Sequence, residues 1–197
     1  GPADPTDDRT PTVIGSDDPI FTSNAVACTG AAGELYAISA RKLAGTDEVP
    51  LCRAKNRVLL IVNGASHCGY TYQYKPLEAL YQKHKAKGLS VLAFPSRSFN
   101  QEDADEQTVS EFCTKENGIT FPLFAIGPVT NDGAEQAQPV YQWLNAQPGM
   151  SAPVAWNFEK FLVSAEGKVV KRWSSGVSPD EGGEIEQAII AELAKVK

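Results

Sequence analysis

Two apolar runs mark the centre of the chain, at residues 58–62 and 89–94. The first run has no polar interruption, as is typical of a strand that is covered on both faces of a sheet, and the second predicts another short strand. Between them, over residues 73–87, apolar side chains recur at helical spacing, and Gly88 follows as a helix stop. The order strand, helix, strand predicts a parallel pair joined by a crossover helix.

Further elements are predicted on both sides of this unit. They are a hairpin region over residues 35–49, helices over 108–117, 139–145 and 184–195, a short strand over 121–125, and a hairpin of 161–164 with 169–173 that turns at Glu166 and Gly167. Their order predicts an α/β fold of thioredoxin type, with a central mixed sheet flanked by helices and an N-terminal β-hairpin.

Size and charge exclude several classes of function. With 197 residues, 42% of them apolar and 21% charged, the chain is expected to form one globular domain. No apolar stretch approaches the roughly 18 residues of a membrane helix, so no membrane span is expected. The net charge of -6 leaves no basic surface for nucleic acid, which is therefore not an expected partner.

The first 24 residues differ in composition from the rest, because they are rich in proline and carry five Asp against the single Arg9. Such a segment buries too little apolar surface to offset the entropy lost on ordering. This predicts a disordered acidic arm over residues 1–24 and a folded domain over 25–197. The opening Gly1-Pro2, without Met, is typical of a scar left by tag cleavage and is consistent with removal of a native leader.

Cys68 lies where the first core strand meets its crossover helix. Residues 63–67 form a predicted turn, and a helical pattern opens beyond Gly69. A thiol at this corner lies near the positive end of a helix, which favours the reactive thiolate. The sequence therefore predicts a redox nucleophile at Cys68.

The other cysteines are Cys28, Cys52 and Cys113, and four thiols permit three pairings. Cys28 and Cys52 flank the first predicted hairpin, and a structural disulfide between them would contribute roughly 3 kcal/mol. The alternative is two separate buried thiols. A bridge would indicate an oxidising compartment, either periplasmic or secreted, whereas free thiols would be typical of the cytoplasm.

Metal binding is not expected. The chain has no Cys-x-x-Cys pair, and its two histidines, His67 and His84, have no ligand spacing with the thiols, so no metal or cofactor is predicted. His67 precedes Cys68 directly, but we interpret it as a solvent-facing loop residue rather than as a modulator of the thiol. His84 lies among lysines on the predicted first helix and is expected at the surface.

Four ordered stretches resemble the glutathione peroxidase family. They are LIVNGASHCGYT at residues 60–71, followed by Gln73, Tyr74 and Leu77; GLSVLAFP at 88–95; Phe112-Cys113 with GITFP at 118–122, as in two-cysteine members; and WNFEKFL at 156–162. The resemblance extends over roughly residues 35–193 and implies a thioredoxin-like fold. Some exported bacterial members carry a similar early cysteine pair, which favours export here.

The resemblance implies roles for particular residues. Cys68 matches the peroxidatic position, and Trp156 and Asn157 match the residues whose N–H groups stabilise the thiolate. The Gln of that set is missing, and Ser98 occupies its position, where a hydroxyl would reach the thiolate through water. The spacing to Gln101 is one residue shorter than in the family pattern, which leaves the alignment of this loop open.

Each role has a simpler alternative. Trp156 is also typical of a core aromatic, Asn157 of a turn, and Cys113 of a buried helix position. Arg97 is normally an exposed loop charge, although a guanidinium near Cys68 would stabilise the thiolate in place of the missing Gln.

The implied reaction is reduction of hydrogen peroxide and organic or lipid hydroperoxides. Cys68 would become a sulfenic acid, Cys113 would resolve it to a disulfide, and a thioredoxin-like protein would reduce that disulfide, with glutathione as the second candidate. The helix that carries Cys113 would have to unravel locally for the thiols to meet. The link at residues 146–155 is short where tetrameric members have an insertion, which predicts a monomer.

Two other functions remain open at this point. A thiol-disulfide oxidoreductase shares the fold, but Thr71 stands where its second cysteine is expected. A peroxide sensor or binding protein with little turnover is compatible with Ser98 at the Gln position. Repeated turnover distinguishes a peroxidase from a sensor.

Overall fold

The computed structural model describes residues 16–22 and 27–196. The strands are β1 (Ser39–Arg41), β2 (Glu48–Pro50), β3 (Val58–Gly64), β4 (Leu89–Pro95), β5 (Lys160–Val163) and β6 (Val169–Trp173). The helices are α1 (Pro19–Thr22), α2 (Tyr74–His84), α3 (Glu106–Glu111), α4 (Pro139–Ala146) and α5 (Glu184–Leu193), and α3 continues as a π-helix over Phe112–Glu116.

The central sheet has four strands in the order β4, β3, β5, β6. β3 is parallel to β4 and antiparallel to β5, and β5 is antiparallel to β6, so the sheet is mixed. The crossover from β3 to β4 runs through α2, and β1 and β2 form the separate N-terminal hairpin. These features confirm the predicted thioredoxin-like α/β fold.

Alternate residues of β3 serve two cores, one on each face of the sheet. Leu60 and Val62 pack with Leu77 of α2, whereas Leu59 and Ile61 pack on the face that carries α4. Because both faces are covered, all seven residues of β3 are buried, as the uninterrupted apolar run predicts. Within the described residues, no helix is both long and apolar enough to span a membrane.

The short strand predicted over residues 121–125 is wrong in detail. Leu123 bridges Ala93 and Phe124 bridges Lys42, but both are isolated bridges rather than a strand. The segment divides its backbone bonds between two partners, with Phe124 N donating to Ala93 O and Ala125 N to Arg41 O. It therefore joins the hairpin to the edge of the main sheet.

The predicted disordered arm is wrong for residues 16–22, whereas residues 1–15 and 23–24 lie outside the described part of the chain. Ile20 is fully buried. The Asp18 carboxylate caps the segment by accepting from Ile20 N at 2.9 Å, and it also accepts from Tyr81 Oη at 2.9 Å and Ser90 Oγ at 2.8 Å. The prediction used the average composition of the arm, which does not show that Ile20 and Asp18 are buried in the core.

The expectation that His84 lies at the surface is also wrong, because its side chain is 2% exposed. Helix α5 covers it, and His84 Nε2 lies 2.7 Å from Glu186 Oε2. Lys83 Nζ contacts the same carboxylate oxygen at 3.0 Å, and Gly182 N donates to Oε1 at 2.7 Å. Of the lysines that suggested exposure, Lys83 pairs with Glu186, and Lys85 and Lys87 lie in the 3-10 turn that follows α2.

This cluster predicts a loss of stability in acid that depends on Glu186. Burial raises the Glu186 pKa, but hydrogen bonds from His84, Gly182 and Lys83 outweigh it and lower the pKa to about 2. A lowered carboxyl pKa contributes stability that is present above about pH 4.5 and is lost as the pH falls toward 2, on the order of 3 kcal/mol at most. We expect Glu186→Gln to flatten urea-unfolding free energies measured between pH 5 and pH 2.

The matched control is Glu192→Gln, on the same helix, whose carboxylate pairs with the exposed Lys195 at 2.9 Å. This control should keep the acid dependence of the wild type. An unchanged acid slope in Glu186→Gln would contradict the assignment.

Cys28 and Cys52 form a disulfide in the structure, with their Cα atoms 5.8 Å apart. The bond ties the segment before β1 to the 3-10 turn over Leu51–Ala54 that precedes β3. Nearby, Lys55 Nζ donates to Thr29 O at 2.6 Å and reinforces the same connection. The bridge therefore fixes the N-terminal segment to the base of the sheet.

Removing this bridge should cost about 3 kcal/mol of the free energy of unfolding, because it frees a loop of 24 residues in the unfolded chain. Urea unfolding of Cys28→Ser measures the loss, and this variant leaves Cys52 as a small buried thiol. Reductant should destabilise the wild type by a similar amount and leave Cys28→Ser unaffected. Equal stability of the two proteins under oxidising conditions would contradict this prediction.

Candidate active site

Cys68 lies at the corner between β3 and α2, and its side chain is 7% exposed. Tyr70 N donates to Cys68 Sγ at 3.3 Å, and Thr71 N and Oγ1 both donate to Cys68 O, at 3.1 and 3.0 Å. The turn over Thr71–Gln73 leads directly into α2. The sulfur therefore accepts a backbone N–H at the positive end of a helix, an arrangement that stabilises a thiolate.

Asn63 joins the loop of Cys68 to the segment that carries Trp156 and Asn157. Its Nδ2 donates to Trp156 O at 3.0 Å, and its Oδ1 accepts from Glu159 N at 3.1 Å. Its backbone O accepts from Phe158 N at 2.7 Å, and Phe158 has a positive φ of 63°. The end of β3 thus holds the Trp-Asn turn beside the thiol corner.

Trp156 and Asn157 differ in exposure. Trp156 is 36% exposed, and its ring lies against Phe99 with centroids 5.3 Å apart, so it is not a core aromatic. Asn157 is fully buried, and its Nδ2 donates to Gln101 Oε1 at 2.9 Å, whereas its Oδ1 has no hydrogen-bond partner. Among the described residues, the donor to Cys68 Sγ is Tyr70 N rather than either of these side chains.

Gln101 and Glu102 hold the thiol loop from the other side. Gln101 O accepts from His67 N at 2.9 Å, and Glu102 Oε1 accepts from Ser66 N at 3.1 Å. The Glu102 side chain is buried, and burial raises the pKa of its carboxyl. Hydrogen bonds from Ser66 and from the backbone N–H of Asp103 act to lower this pKa. The two residues that precede Cys68 are therefore fixed by one loop.

The predicted role of Ser98 beside the thiolate is not what the structure shows. Ser98 Oγ accepts from Val129 N at 3.0 Å and from Ser96 Oγ at 3.0 Å, so the hydroxyl joins its own loop to the segment of Val129. A carboxamide does reach the site, but it comes from Gln101, which bonds to Asn157. Arg97 is exposed and lines a surface pocket with Glu135 instead of facing Cys68.

Cys113 is free and fully buried, whereas Cys68, also free, is 7% exposed. Cys113 lies in the π-helix rather than in the regular helix predicted over 108–117, because Asn117 N and Nδ2 both donate to Phe112 O, at 3.2 and 2.9 Å. Burial raises the Cys113 pKa to about 12, although the Tyr74 hydroxyl acts to lower it. In this conformation the thiol is therefore protonated.

His67 is solvent-facing, as predicted. Its Nε2 lies 3.0 Å from Asp103 Oδ1, and this hydrogen bond, together with the charge of Asp103, raises the His67 pKa. The pair lies on the outer side of the loop that precedes Cys68. It therefore belongs to the loop surface rather than to the surroundings of the sulfur.

Sequence reasoning missed several residues that build the site. Asn63, Glu102 and Tyr74 were assigned no role, and Gln101 was noted for its spacing alone. Asn63 is a polar residue at the end of an otherwise apolar strand, a signal that points to a bonded side chain. The buried position of Glu102 had no such signal, because its segment is polar throughout.

The fold and the corner cysteine define a thiol-based oxidoreductase. Comparison with known proteins specifies the family. The family model described as Glutathione peroxidase matches residues 35–145. The glutathione peroxidase-like peroxiredoxin gpx1 of Schizosaccharomyces pombe is 45% identical over 135 residues, which cover 66% of this chain and 83% of the relative.

Two further relatives agree with this assignment. The hydroperoxy fatty acid reductase gpx1 of Synechocystis sp. is 42% identical and covers 75% of this chain and 90% of its own length. The crystal structure of Trgpx in apo form has 34% identity and a TM-score of 0.64, and it covers 84% of this chain and 99% of its own. The chain belongs to the glutathione peroxidase family, and it is a peroxidase.

Proposed function

We propose that this protein is a thiol peroxidase in which Cys68 attacks the hydroperoxide. The Cys68 thiolate bonds to one peroxide oxygen as the O–O bond breaks, which leaves a sulfenic acid and releases water or an alcohol. The observation that carries this proposal is the hydrogen bond from Tyr70 N to Cys68 Sγ at the start of α2, at 3.3 Å. The hydrogen bonds to Gln101 and Glu102 that fix the two residues before Cys68 support it further.

In the second step Cys113 attacks the sulfenic acid and forms a disulfide with Cys68. Both thiols are free in the structure. Cys113 is buried in a π-helix, a form that is rare and is frequently found at functional sites. Because Cys113 is buried in this π-helix, we propose that the helix opens locally so that the sulfur can move to Cys68.

A thioredoxin-like protein then reduces the disulfide. The link at residues 146–155 is short, which supports a face around Cys68 that is open to a protein partner. The peroxiredoxin-like name of the fission yeast relative agrees with this donor. Glutathione is the second candidate, and we propose that the protein acts as a monomer.

The substrates are hydrogen peroxide and organic or lipid hydroperoxides. An aromatic rim of Phe99 and Trp156 supports the apolar substrates, because Trp156 is exposed and its ring contacts Phe99. The cyanobacterial relative is named for hydroperoxy fatty acids. This rim would receive the acyl part of such a substrate.

We further propose that the protein works in the periplasm or outside the cell, with the cytoplasm as the alternative. The support is the disulfide between Cys28 and Cys52, which has no place in the peroxidase cycle. Trapping thiols in intact source cells tests this. We expect Cys28 and Cys52 to be oxidised there while Cys68 and Cys113 cycle.

A coupled assay tests the function as a whole. The oxidation of NADPH is followed in the presence of peroxide and either thioredoxin with its reductase or glutathione with its reductase. We expect many turnovers with thioredoxin and slower turnover with glutathione. A single equivalent of peroxide consumed per protein with every donor would indicate a sensor instead.

A further inference from the structure

Tyr74 places an unpartnered hydroxyl in the core cluster that contains the two free cysteines. Its side chain is fully buried, and Tyr74 Oη has no hydrogen-bond partner in the structure. A buried hydroxyl without a partner costs free energy, so its presence calls for an explanation. Phenylalanine would fill the same space without this cost.

Tyr74 packs near both the cysteine that attacks the peroxide, Cys68, and the resolving cysteine, Cys113. Tyr74 lies in one buried cluster with Cys68 and Cys113. Its ring packs edge-on against Phe158, with centroids 4.9 Å apart, and against Phe112, the neighbour of Cys113, at 6.4 Å. Its hydroxyl lies against Gly64, where a Cβ would collide with it, at the end of the strand that leads to Cys68.

We propose that Tyr74 is a positioning residue for the resolving step, whose hydroxyl donates a hydrogen bond to the Cys113 sulfur as that sulfur becomes a thiolate. The proposal rests on the roles proposed above for Cys68 and Cys113. Tyr74 acts as a donor alone, because burial, followed by the charges of Cys113 and Glu102, raises the Tyr74 pKa well above its usual value.

Two features around Cys113 oppose its ionisation and make such a donor necessary. The first is burial, and the second is the carboxyl of Glu102. Tyr74 is the group facing Cys113 that acts in the opposite direction. The hydroxyl falls short of a complete hydrogen bond to the neutral thiol, which leaves it free to bond the thiolate when this forms.

Cys113 loses its proton, and its sulfur attacks the sulfur of the Cys68 sulfenic acid. The S–S bond forms as the S–O bond breaks, and the departing hydroxide takes up a proton to leave as water. Tyr74 keeps its own proton throughout and stabilises the attacking thiolate.

The experiment separates the two steps in Tyr74→Phe. After a pulse of hydrogen peroxide, sulfenic acid is trapped with a dimedone probe, and disulfide formation is followed by quenched-flow mass spectrometry. We expect disulfide formation to slow about 10-fold, as for loss of a hydrogen bond to a charged group, while sulfenic acid forms at a similar rate. More Cys68 should then proceed to sulfinic acid at high peroxide.

The matched control is Tyr141→Phe, because Tyr141 is also fully buried with an unpartnered hydroxyl, but it lies in the core on the other face of the sheet. It should resolve at the wild-type rate. A purely structural role of Tyr74 predicts the opposite sign, since a loosened helix would release Cys113 sooner. In a Cys113→Ser background, Tyr74→Phe should have no further effect on the yield of trapped sulfenic acid.

Disulfide formation in Tyr74→Phe at or above the wild-type rate would overturn this inference and leave the proposed function intact. A wild-type protein that forms no disulfide between Cys68 and Cys113 would overturn the proposed function itself. Unfolding in urea, measured for each variant, identifies any loss of folded protein. The slower resolving rate must appear in protein that is fully folded.

Discussion

Cys68→Ser will consume hydroperoxide at a rate lower than that of the wild type by a factor on the order of 1,000 or more. A serine hydroxyl stays protonated at neutral pH, so the hydrogen bond from Tyr70 N to Sγ has no anion to stabilise. The measurement is peroxide consumption with thioredoxin and its reductase in excess. The substitution changes one atom in the corner, so the fold should persist.

His67→Ala is the matched control for this experiment. It alters the adjacent residue, whose exposed ring pairs with Asp103 on the outer side of the loop. We expect its rate to stay within about 2-fold of the wild type. Persistent turnover in Cys68→Ser would mean that another group carries the chemistry.

Cys113→Ser will stop turnover with thioredoxin while leaving the first reaction with peroxide intact. Without Cys113 the sulfenic acid at Cys68 has no resolving thiol, so one equivalent of peroxide should be consumed per protein and steady-state turnover should fall roughly 100-fold. A burst measured in stopped flow, followed by a flat trace, is the expected result. Added glutathione should restore part of the turnover, since a small thiol reaches Cys68 directly.

The matched control is Cys28→Ser, which removes a cysteine of the structural disulfide. This variant should lose stability but keep thioredoxin-dependent turnover at a temperature where it is folded. Undiminished turnover of Cys113→Ser with thioredoxin would contradict the resolving role.

The fold was largely readable from the sequence because the central elements have strong local patterns. The runs that form β3 and β4 are mostly apolar and buried throughout, since both faces of the sheet are covered. The helix between them ended as predicted near Gly88, whose φ of 114° disfavours other residues. The π-helix at Cys113 was not predictable, because the sequence over residues 108–117 has the pattern of a regular helix. The π-helix depends instead on hydrogen bonds from Asn117 to Phe112 O.

Buried polar groups account for most of what the sequence did not predict. Lys160 is fully buried, with Nζ donating to Ser175 O and Val177 O, and burial lowers its pKa to about 7. His84 is covered by α5, and Asp18 anchors an acidic segment to the core. Each depends on a partner distant in sequence, which local composition does not reveal.

The candidate site was predicted in its centre and not in its surroundings. Cys68 was identified from the strand-to-helix corner, and Asn63 holds Trp156 and Asn157 next to that corner. The hydrogen bond from Asn157 to Gln101 was not predicted. The loop that carries Gln101 is one residue shorter than the family pattern, so the alignment placed Ser98, and not Gln101, at the Gln position. A polar loop has no periodicity from which such a shift can be read.

The most direct measurement is mass spectrometry of the reduced protein after exposure to one equivalent of hydrogen peroxide for a few seconds, with a sulfenic acid trap present. The account predicts that the trap labels Cys68 first and that, without the trap, a bond from Cys68 to Cys113 follows. Label on Cys113 or another residue while Cys68 remains a free thiol would contradict it.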